Sequence, residues 1–221
     1  SVAATIQGTP APGHTIGDGI KELDRVAQIV LPENFRTSLA GQSRDYAEST
    51  SSLLFAFLLA LLIIYLVLAA QFESFRDPFI IILTVPMSLA GALLSLWFTQ
   101  QTLNVFSQIG IIMLIGIVTK NGILIVEFAN QRKAAGLSKL DAVLEASLAR
   151  FRPILMTSLA TIFGILPIAL SLGSAGGSRQ SLGIAVVGGL ALSGLLTLFV
   201  VPAVYAIFSR ATGGGEQLEI E

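Results

Sequence analysis

The chain contains four long stretches without a single charged residue, and these stretches limit what it can fold into. They cover residues 49–72, 78–119, 153–178 and 180–209. Each is longer than about 20 residues, the length that an α-helix needs to cross the hydrocarbon core of a bilayer. Charged residues make up 12% of the sequence, whereas soluble domains typically contain roughly 25%. The sequence therefore predicts a membrane protein with several spanning helices.

The polar residues between these stretches place the ends of the spans. Polar connections at 71–78 and 100–104 separate the first three spans, and the glycine- and serine-rich segment 173–178 separates the last two. Leucine and valine residues along one side of residues 138–150 predict an amphipathic helix at the cytoplasmic surface of the membrane. Residues 211–221 are expected to form a flexible cytoplasmic tail. The predicted transmembrane bundle, residues 51–210, has spans at about 51–70, 79–98, 106–129, 153–172 and 182–207.

One face of the fifth predicted span carries small residues. Ala185, Gly189 and Ser193 follow each other at intervals of four residues, which places them on the same side of a helix. Small residues in this arrangement allow the backbones of two membrane helices to approach closely. We therefore expect this face to pack against a neighbouring helix.

Residues 1–50 are more polar and predict a different kind of structure. Residues 2–7 and 35–39 have strand-like patterns, and between them an amphipathic helix begins near Asp18, a residue that favours the N-cap position. This order predicts a small β-α-β piece, which we expect to belong to a larger domain because about fifty residues bury only a small core. The chain begins with Ser1 and lacks a signal-peptide pattern, so we expect a fragment or a processed product.

The distribution of basic residues predicts the orientation in the membrane. Short loops that are rich in Lys and Arg stay in the cytoplasm. If residues 1–50 lie outside, the two short outer loops contain only Arg179. The cytoplasmic segments then contain Arg76, Arg132, Lys133, Lys139, Arg150, Arg152 and Arg210.

Lys120 is the least expected residue of the sequence because it lies inside the third predicted span, far from both ends. A lysine in the middle of a spanning helix costs about 2.5–3.5 kcal/mol on insertion scales, so it needs a partner or a water-filled cavity. Asn121 beside it could share a polar network. Glu127 lies two helical turns away, where a role at the membrane surface is as plausible as a role in a relay. The acidic partner of Lys120 is therefore expected in another segment or outside this sequence.

Arg150 and Thr157 form a second pair of interest. They are seven residues apart and share one helical face if the helix begins before Pro153, although a proline disfavours a helix interior. Arg150 and Arg152 could instead anchor a helix end at the lipid headgroups. Together with Lys120, Arg150 and Thr157 could connect a site in mid-membrane to cytoplasmic water.

Several other kinds of chemistry are poorly supported. His14 lies in a Pro/Gly-rich loop without a second ligand nearby, which argues against a metal site. The sequence has no cysteine, a net charge of -1 and no phosphate-binding loop, so neither thiol chemistry nor nucleic acid nor ATP is implied. No cofactor is expected.

Three motifs resemble the last five transmembrane helices of resistance-nodulation-division (RND) efflux transporters. These are Phe72-Glu-Ser-Phe after Leu-Ala-Ala-Gln71, the run from Gly116 through Thr-Lys-Asn-Gly to Ala129, and Arg152-Pro-Ile-Leu-Met-Thr-Ser158. The resemblance covers essentially the whole chain, and residues 40–43 resemble the preceding periplasmic porter region. It implies a mostly α, polytopic bundle of five transmembrane helices preceded by a partial, periplasmic porter-type β-α-β piece at residues 1–50.

The resemblance also implies a function. RND transporters export drugs and other amphiphiles in exchange for protons from the bacterial inner membrane, commonly as trimers joined to a periplasmic adaptor and an outer-membrane channel. In this family a lysine pairs with carboxylates in the amino-terminal half, which this sequence lacks. The resemblance assigns a proton relay to Lys120, Asn121, Arg150 and Thr157. It also implies a transporter that uses the energy of the proton gradient, and not an enzyme. It assigns no substrate-binding residue.

Other functions remain open on the sequence alone. Metal-ion export within the same family is one, although the chain offers few soft ligands. A non-transporting, truncated structural or assembly module is another. A passive channel ranks last because the sequence lacks a repeated polar face that could form a ring.

Overall fold

The computed structural model describes residues 3–172 and 176–210, with the backbone alone at residues 50, 176–178 and 209–210. The predicted tail, residues 211–221, lies outside the described residues. The chain divides into two compact units, Ser1–Phe55 and Ala56–Glu221. The helices are α1 (Ile16–Val30), α2 (Gln42–Phe72), α3 (Arg76–Ile82), α4 (Thr84–Phe98), α5 (Val105–Ala134), α6 (Lys139–Ala169) and α7 (Gly176–Arg210).

The first unit contains α1 and the start of α2, and a capping box starts α1. The backbone N–H of Thr15 donates to the Asp18 carboxylate at 2.9 Å, and Thr15 Oγ1 accepts from the backbone N–H of Asp18 at 3.2 Å. These contacts satisfy N–H groups that have no partner within the helix. The hydrogen bonds from the backbone and side chain of Thr15 lower the pKa of Asp18 below its ordinary value of 3.8. The sequence pattern favours a cap at Asp18, but the N-cap residue in the structure is Thr15.

The two predicted strands are wrong for the part of the first unit that the structure describes. Residues 3–15 and 31–40 contain no strand, and only the helix of the expected β-α-β piece is present. A strand is stable only when its backbone groups pair with a neighbouring strand and its side chains cover a core. The described residues of the first unit contain no strand with which residues 3–7 or 35–39 could pair. The strand-like pattern of these residues therefore does not determine their structure.

Five helical segments are long and apolar enough to cross a membrane, as the sequence predicts. The number follows from length and composition over the described residues. The segments are Gln42–Phe72, Arg76–Phe98, Val105–Ala134, Lys139–Ala169 and Arg179–Phe208.

Two of these segments differ from the prediction in their continuity. The second is interrupted at Leu83 between α3 and α4, three residues before Pro86, which cannot donate a helical hydrogen bond. The predicted surface helix at 138–150 and the predicted span at 153–172 are instead one helix, α6, which runs through Pro153. Proline is tolerated inside membrane helices because neighbouring groups can satisfy the carbonyl that it frees.

In the second unit α7 packs against α4, α5 and α6. Small residues allow this close approach: a Cβ atom added to Gly188 would lie 1.6 Å from Ser95 Oγ on α4, and one added to Gly189 would lie 2.3 Å from Leu114 Cδ1 on α5. Ala185 and Ser193 are fully buried. The predicted small-residue face is thereby confirmed as a packing surface.

Candidate functional site

Lys120 lies at the middle of α5, between long apolar stretches of the same helix. Its side chain is exposed on the outside of the unit, whereas the neighbouring Thr119 and Asn121 are 3% and 5% exposed. Among residues 3–172 and 176–210 no carboxylate forms a salt bridge with Lys120. The described part of the chain thus presents a cation at mid-helix without its counter-charge.

Asn121 points into the unit and not along the same direction as Lys120, because successive helical residues are about 100° apart. The next residue, Gly122, faces α3, where an added Cβ atom would lie 3.3 Å from Ile81 Cγ2. Thr119, on the other side of Lys120, donates from Oγ1 to the carbonyl of Ile115 at 2.7 Å. The polar side chains beside Lys120 are therefore held inside the packed unit, while the charge faces outward.

Thr157 and Arg150 lie on the same continuous helix, α6. Thr157 is exposed, and its Oγ1 donates to the carbonyl of Pro153 at 3.0 Å and approaches that of Ile154 at 3.2 Å. Its proton is used within the helix, and its oxygen remains able to accept a hydrogen bond. No hydrogen bond joins Thr157 to Lys120, Asn121 or Arg150 in the described part of the chain.

Arg150 is partly buried near the start of the apolar part of α6. Its guanidinium carbon lies 5.3 Å from the centre of the Phe128 ring of α5. Its Nε atom is buried without a hydrogen-bond partner among the described residues. Arg150 therefore contacts α5 at the ring of Phe128, which lies two helical turns along α5 from Lys120.

The sequence pattern does not predict the other residues around the Phe128 ring. Arg132, one turn further along α5, also lies over Phe128, with its guanidinium carbon 5.0 Å from the ring centre. Arg132 forms a salt bridge of 3.1 Å with Glu145 of α6. The spacing of Phe128 and Arg132 by four residues was a usable signal, whereas the contact with α6 depends on how the two helices pack.

A second network, also missed, joins three helices. Asn130 of α5 donates from Nδ2 to the Asp77 carboxylate of α3 at 2.9 Å and accepts at Oδ1 from the Tyr205 hydroxyl of α7 at 2.8 Å. Tyr205 is 5% exposed, so its hydroxyl requires such a partner. The network fixes the ends of α3, α5 and α7 relative to each other.

A third network lies at the opposite end of α5. Asn104 caps α5 by accepting from the backbone N–H of Ser107 at 2.9 Å. The same Oδ1 atom accepts from the hydroxyl of Ser181, on α7, at 2.8 Å. Helix α5, which carries Lys120, is therefore tied to α7 by side-chain hydrogen bonds at both ends.

Comparisons with known proteins identify relatives over almost the whole chain. The sequence matches the AcrB/AcrD/AcrF family model over residues 1–209. It is 42% identical over 212 residues to the multidrug resistance protein MdtC of Photorhabdus laumondii, covering 95% of this chain and 20% of that protein. It is 39% identical over 211 residues to an uncharacterized transporter of Haemophilus influenzae, covering 92% of this chain and 20% of that protein.

The extent of the match decides the family. The chain spans about a fifth of the length of these curated relatives, and the matched region includes the seven described helices up to residue 209, one residue before the end of α7. Together with the five segments of the described residues that are long and apolar enough to cross a membrane, this match shows that the chain belongs to the AcrB/AcrD/AcrF family of RND transporters.

Proposed function

We propose that this chain is the carboxyl-terminal membrane part of a proton-driven drug exporter and supplies the basic side of its proton relay. The observation that carries the proposal is Lys120, a charge at the middle of a membrane-length helix with no described carboxylate partner. An uncompensated charge at this depth is costly and is characteristic of ion pathways. The relatives named as multidrug resistance proteins favour drugs as the exported class.

The exposure of Lys120 is consistent with a partner in another part of the complete protein. Its side chain projects away from the core in which Thr119 and Asn121 are buried. Carboxylates on an amino-terminal bundle packed against this face would pair with its ammonium group when ionised. When those carboxylates take up protons, the pairing weakens and the helices shift to a second arrangement.

Asn121, Arg150 and Thr157 have different parts in this proposal. Asn121 positions the relay from inside the unit, Thr157 offers a hydroxyl oxygen on α6, and Arg150 favours a hydrated path towards the cytoplasm. The membrane potential contributes about 2.3 kcal/mol for each charge moved through 100 mV, in addition to the pH gradient. No cofactor is required, because the proton gradient supplies the energy.

The family supports an assembly around this part. We propose a homotrimer in the bacterial inner membrane, joined to a periplasmic adaptor and an outer-membrane channel. Residues 1–50 would lie in the periplasm and the carboxyl terminus in the cytoplasm, because this orientation places the short loops that are rich in Lys and Arg in the cytoplasm.

Drug resistance of cells tests the proposal. Lys120→Ala in the complete transporter is expected to reduce resistance to the level of cells without the pump, because the relay loses its cation. Lys133→Ala is the matched control, since Lys133 is an exposed lysine near the end of the same helix, and it is expected to retain resistance. Normal resistance of Lys120→Ala at equal membrane expression would refute the relay assignment.

A further inference from the structure

The ring of Phe128 contacts two cationic side chains that have different surroundings. The guanidinium carbons of Arg132 and Arg150 lie 5.0 and 5.3 Å from its centre. Both distances are within about 6 Å, the range in which a cation is attracted to the negative face of an aromatic ring. The ring therefore connects a cation of its own helix, α5, with a cation of α6.

Arg132 has a second attachment. It forms a salt bridge of 3.1 Å with Glu145, whose side chain is 41% exposed. Glu145 is on α6, five residues before Arg150. The charge of Arg132 is thus balanced, and its position does not depend on the ring alone.

Arg150 has no such attachment in the described part of the chain. No salt bridge or hydrogen bond is present for its guanidinium within residues 3–172 and 176–210, and its Nε atom is buried without a partner. A long arginine side chain loses considerable rotamer freedom when it is held in one place. The ring face is the described contact that opposes this loss at Arg150.

We propose that Phe128 is a positioning residue for Arg150, whose guanidinium it holds against α5 through a cation–π contact, so that the N–H donors of Arg150, which have no described partner, remain free for the proton path. The inference rests on the proposed role of Arg150 in the relay. It adds a residue on the helix of Lys120 that determines where Arg150 lies. The aromatic face, and not merely an apolar side chain of similar size, is the required property.

Substitution of the ring in the complete transporter gives the first test. Phe128→Leu is expected to lower proton-coupled drug transport in vesicles by about threefold to tenfold, the range of a partly desolvated cation–π contact. Phe128→Tyr keeps the aromatic face and is expected to retain most of the activity. Phe163→Leu makes the same change at an exposed phenylalanine of α6 and is expected to transport normally. Equal loss in Phe128→Leu and Phe128→Tyr would overturn the proposal.

A fluorination series separates positioning from packing. Phenylalanine with one, two or three ring fluorines at position 128 keeps nearly the same shape, while each fluorine weakens the negative ring face. Transport is expected to fall stepwise along the series at constant membrane expression. Constant transport along the series would show that only the volume of the side chain matters and would overturn the proposal.

Two arginine variants identify which cation is concerned. Arg132→Gln is expected to cause a smaller loss than Phe128→Leu, because Arg150 keeps its ring contact. An equal loss would assign the effect of the ring to Arg132 and contradict the proposal. Arg150→Gln tests the underlying function: its full activity would refute the relay role of Arg150, whereas an inactive Arg150→Gln beside a fully active Phe128→Leu would refute the positioning role alone.

Discussion

The hydroxyl of Tyr205 donates a hydrogen bond of 2.8 Å to Oδ1 of Asn130 and thereby joins α7 to α5 across 75 positions of the sequence. The same Asn130 amide donates to Asp77 of α3, so one side chain connects three helices. The Asn130 side chain thus uses its NH2 group as a donor and its carbonyl oxygen as an acceptor. Loss of Asn130 therefore removes a hydrogen-bond partner from both Asp77 and Tyr205, whereas loss of Tyr205 or of Asp77 removes one partner of Asn130.

Tyr205→Phe is expected to destabilise the complete transporter by about 1 kcal/mol, because Asn130 loses a buried hydrogen-bond donor. The apparent melting temperature of the detergent-purified protein should fall. Tyr65→Phe is the control, since the Tyr65 hydroxyl makes a longer bond of 3.3 Å at an exposed site. Equal melting temperatures of Tyr205→Phe and the unaltered protein would contradict the importance of the network.

Gly188→Ala is expected to disturb the packing of α7 on α4, because the added Cβ atom would lie 1.6 Å from Ser95 Oγ and 2.3 Å from Ser95 Cβ. Overpacking of this kind costs about 1–3 kcal/mol. Thermal stability in detergent is the measurement. Adding Ser95→Gly removes both close atoms and should restore part of the loss.

Gly164→Ala is the control for that prediction, since no atom lies within 4 Å of an added Cβ atom there. Replacing glycine by alanine inside a helix gains up to about 1 kcal/mol of helix propensity. Gly164→Ala should therefore be neutral or stabilising. A stability loss at Gly164 as large as that at Gly188 would contradict the packing explanation.

The capping box of α1 predicts a pH dependence through Asp18. Its folded-state pKa lies below the ordinary value of 3.8 because of the hydrogen bonds from Thr15. The contribution of Asp18 to helix stability is therefore present above pH 3.8 and is lost as the pH falls through the lower, folded-state pKa.

Circular dichroism of a peptide that spans residues 11–33 tests this dependence. Helicity should decrease on acidification below pH 3.8, and Asp18→Asn should reduce that decrease. Glu22, whose pKa is lowered by its hydrogen bond with Arg25, would account for the part that remains. An identical acid transition in the Asp18→Asn peptide would exclude a role of the capping box.

Arg150 and Arg152 are expected to differ in function although they are two residues apart. Arg150 is partly buried against Phe128, whereas Arg152 is exposed. Arg150→Gln should lower drug transport in vesicles at least tenfold, about 1.4 kcal/mol, while Arg152→Gln should retain it. Equal losses would favour the alternative in which both arginines anchor a helix end at the lipid headgroups.

The number of membrane helices could be predicted because the uncharged stretches and the polar connections between them show which segments are long enough to cross the hydrocarbon core of a bilayer. Their continuity was harder to predict. The proline at 153 and the amphipathic pattern before it favoured two helices, yet α6 runs through Pro153. The predicted strands failed for a related reason, since residues 2–7 and 35–39 have a local pattern but no neighbouring strand in the described part of the chain.

The candidate site shows the same division between local and distant information. Lys120 could be found from sequence because a charge inside an apolar helix is costly wherever the helix packs. The contact of Arg150 with Phe128 and that of Tyr205 with Asn130 join residues distant in sequence. They depend on the packing of α5 against α6 and α7, which periodicity does not determine. The functional roles of Lys120, Asn121, Arg150 and Thr157 remain predictions.

Proton-coupled transport by the complete protein in reconstituted vesicles tests the central claim most directly. With an imposed pH gradient, the unaltered transporter should exchange drug for protons, and Lys133→Ala should do the same. Lys120→Ala should show neither drug movement nor drug-dependent proton flux, although it is inserted in equal amount. Undiminished exchange by Lys120→Ala would contradict the assignment of the proton relay to this lysine.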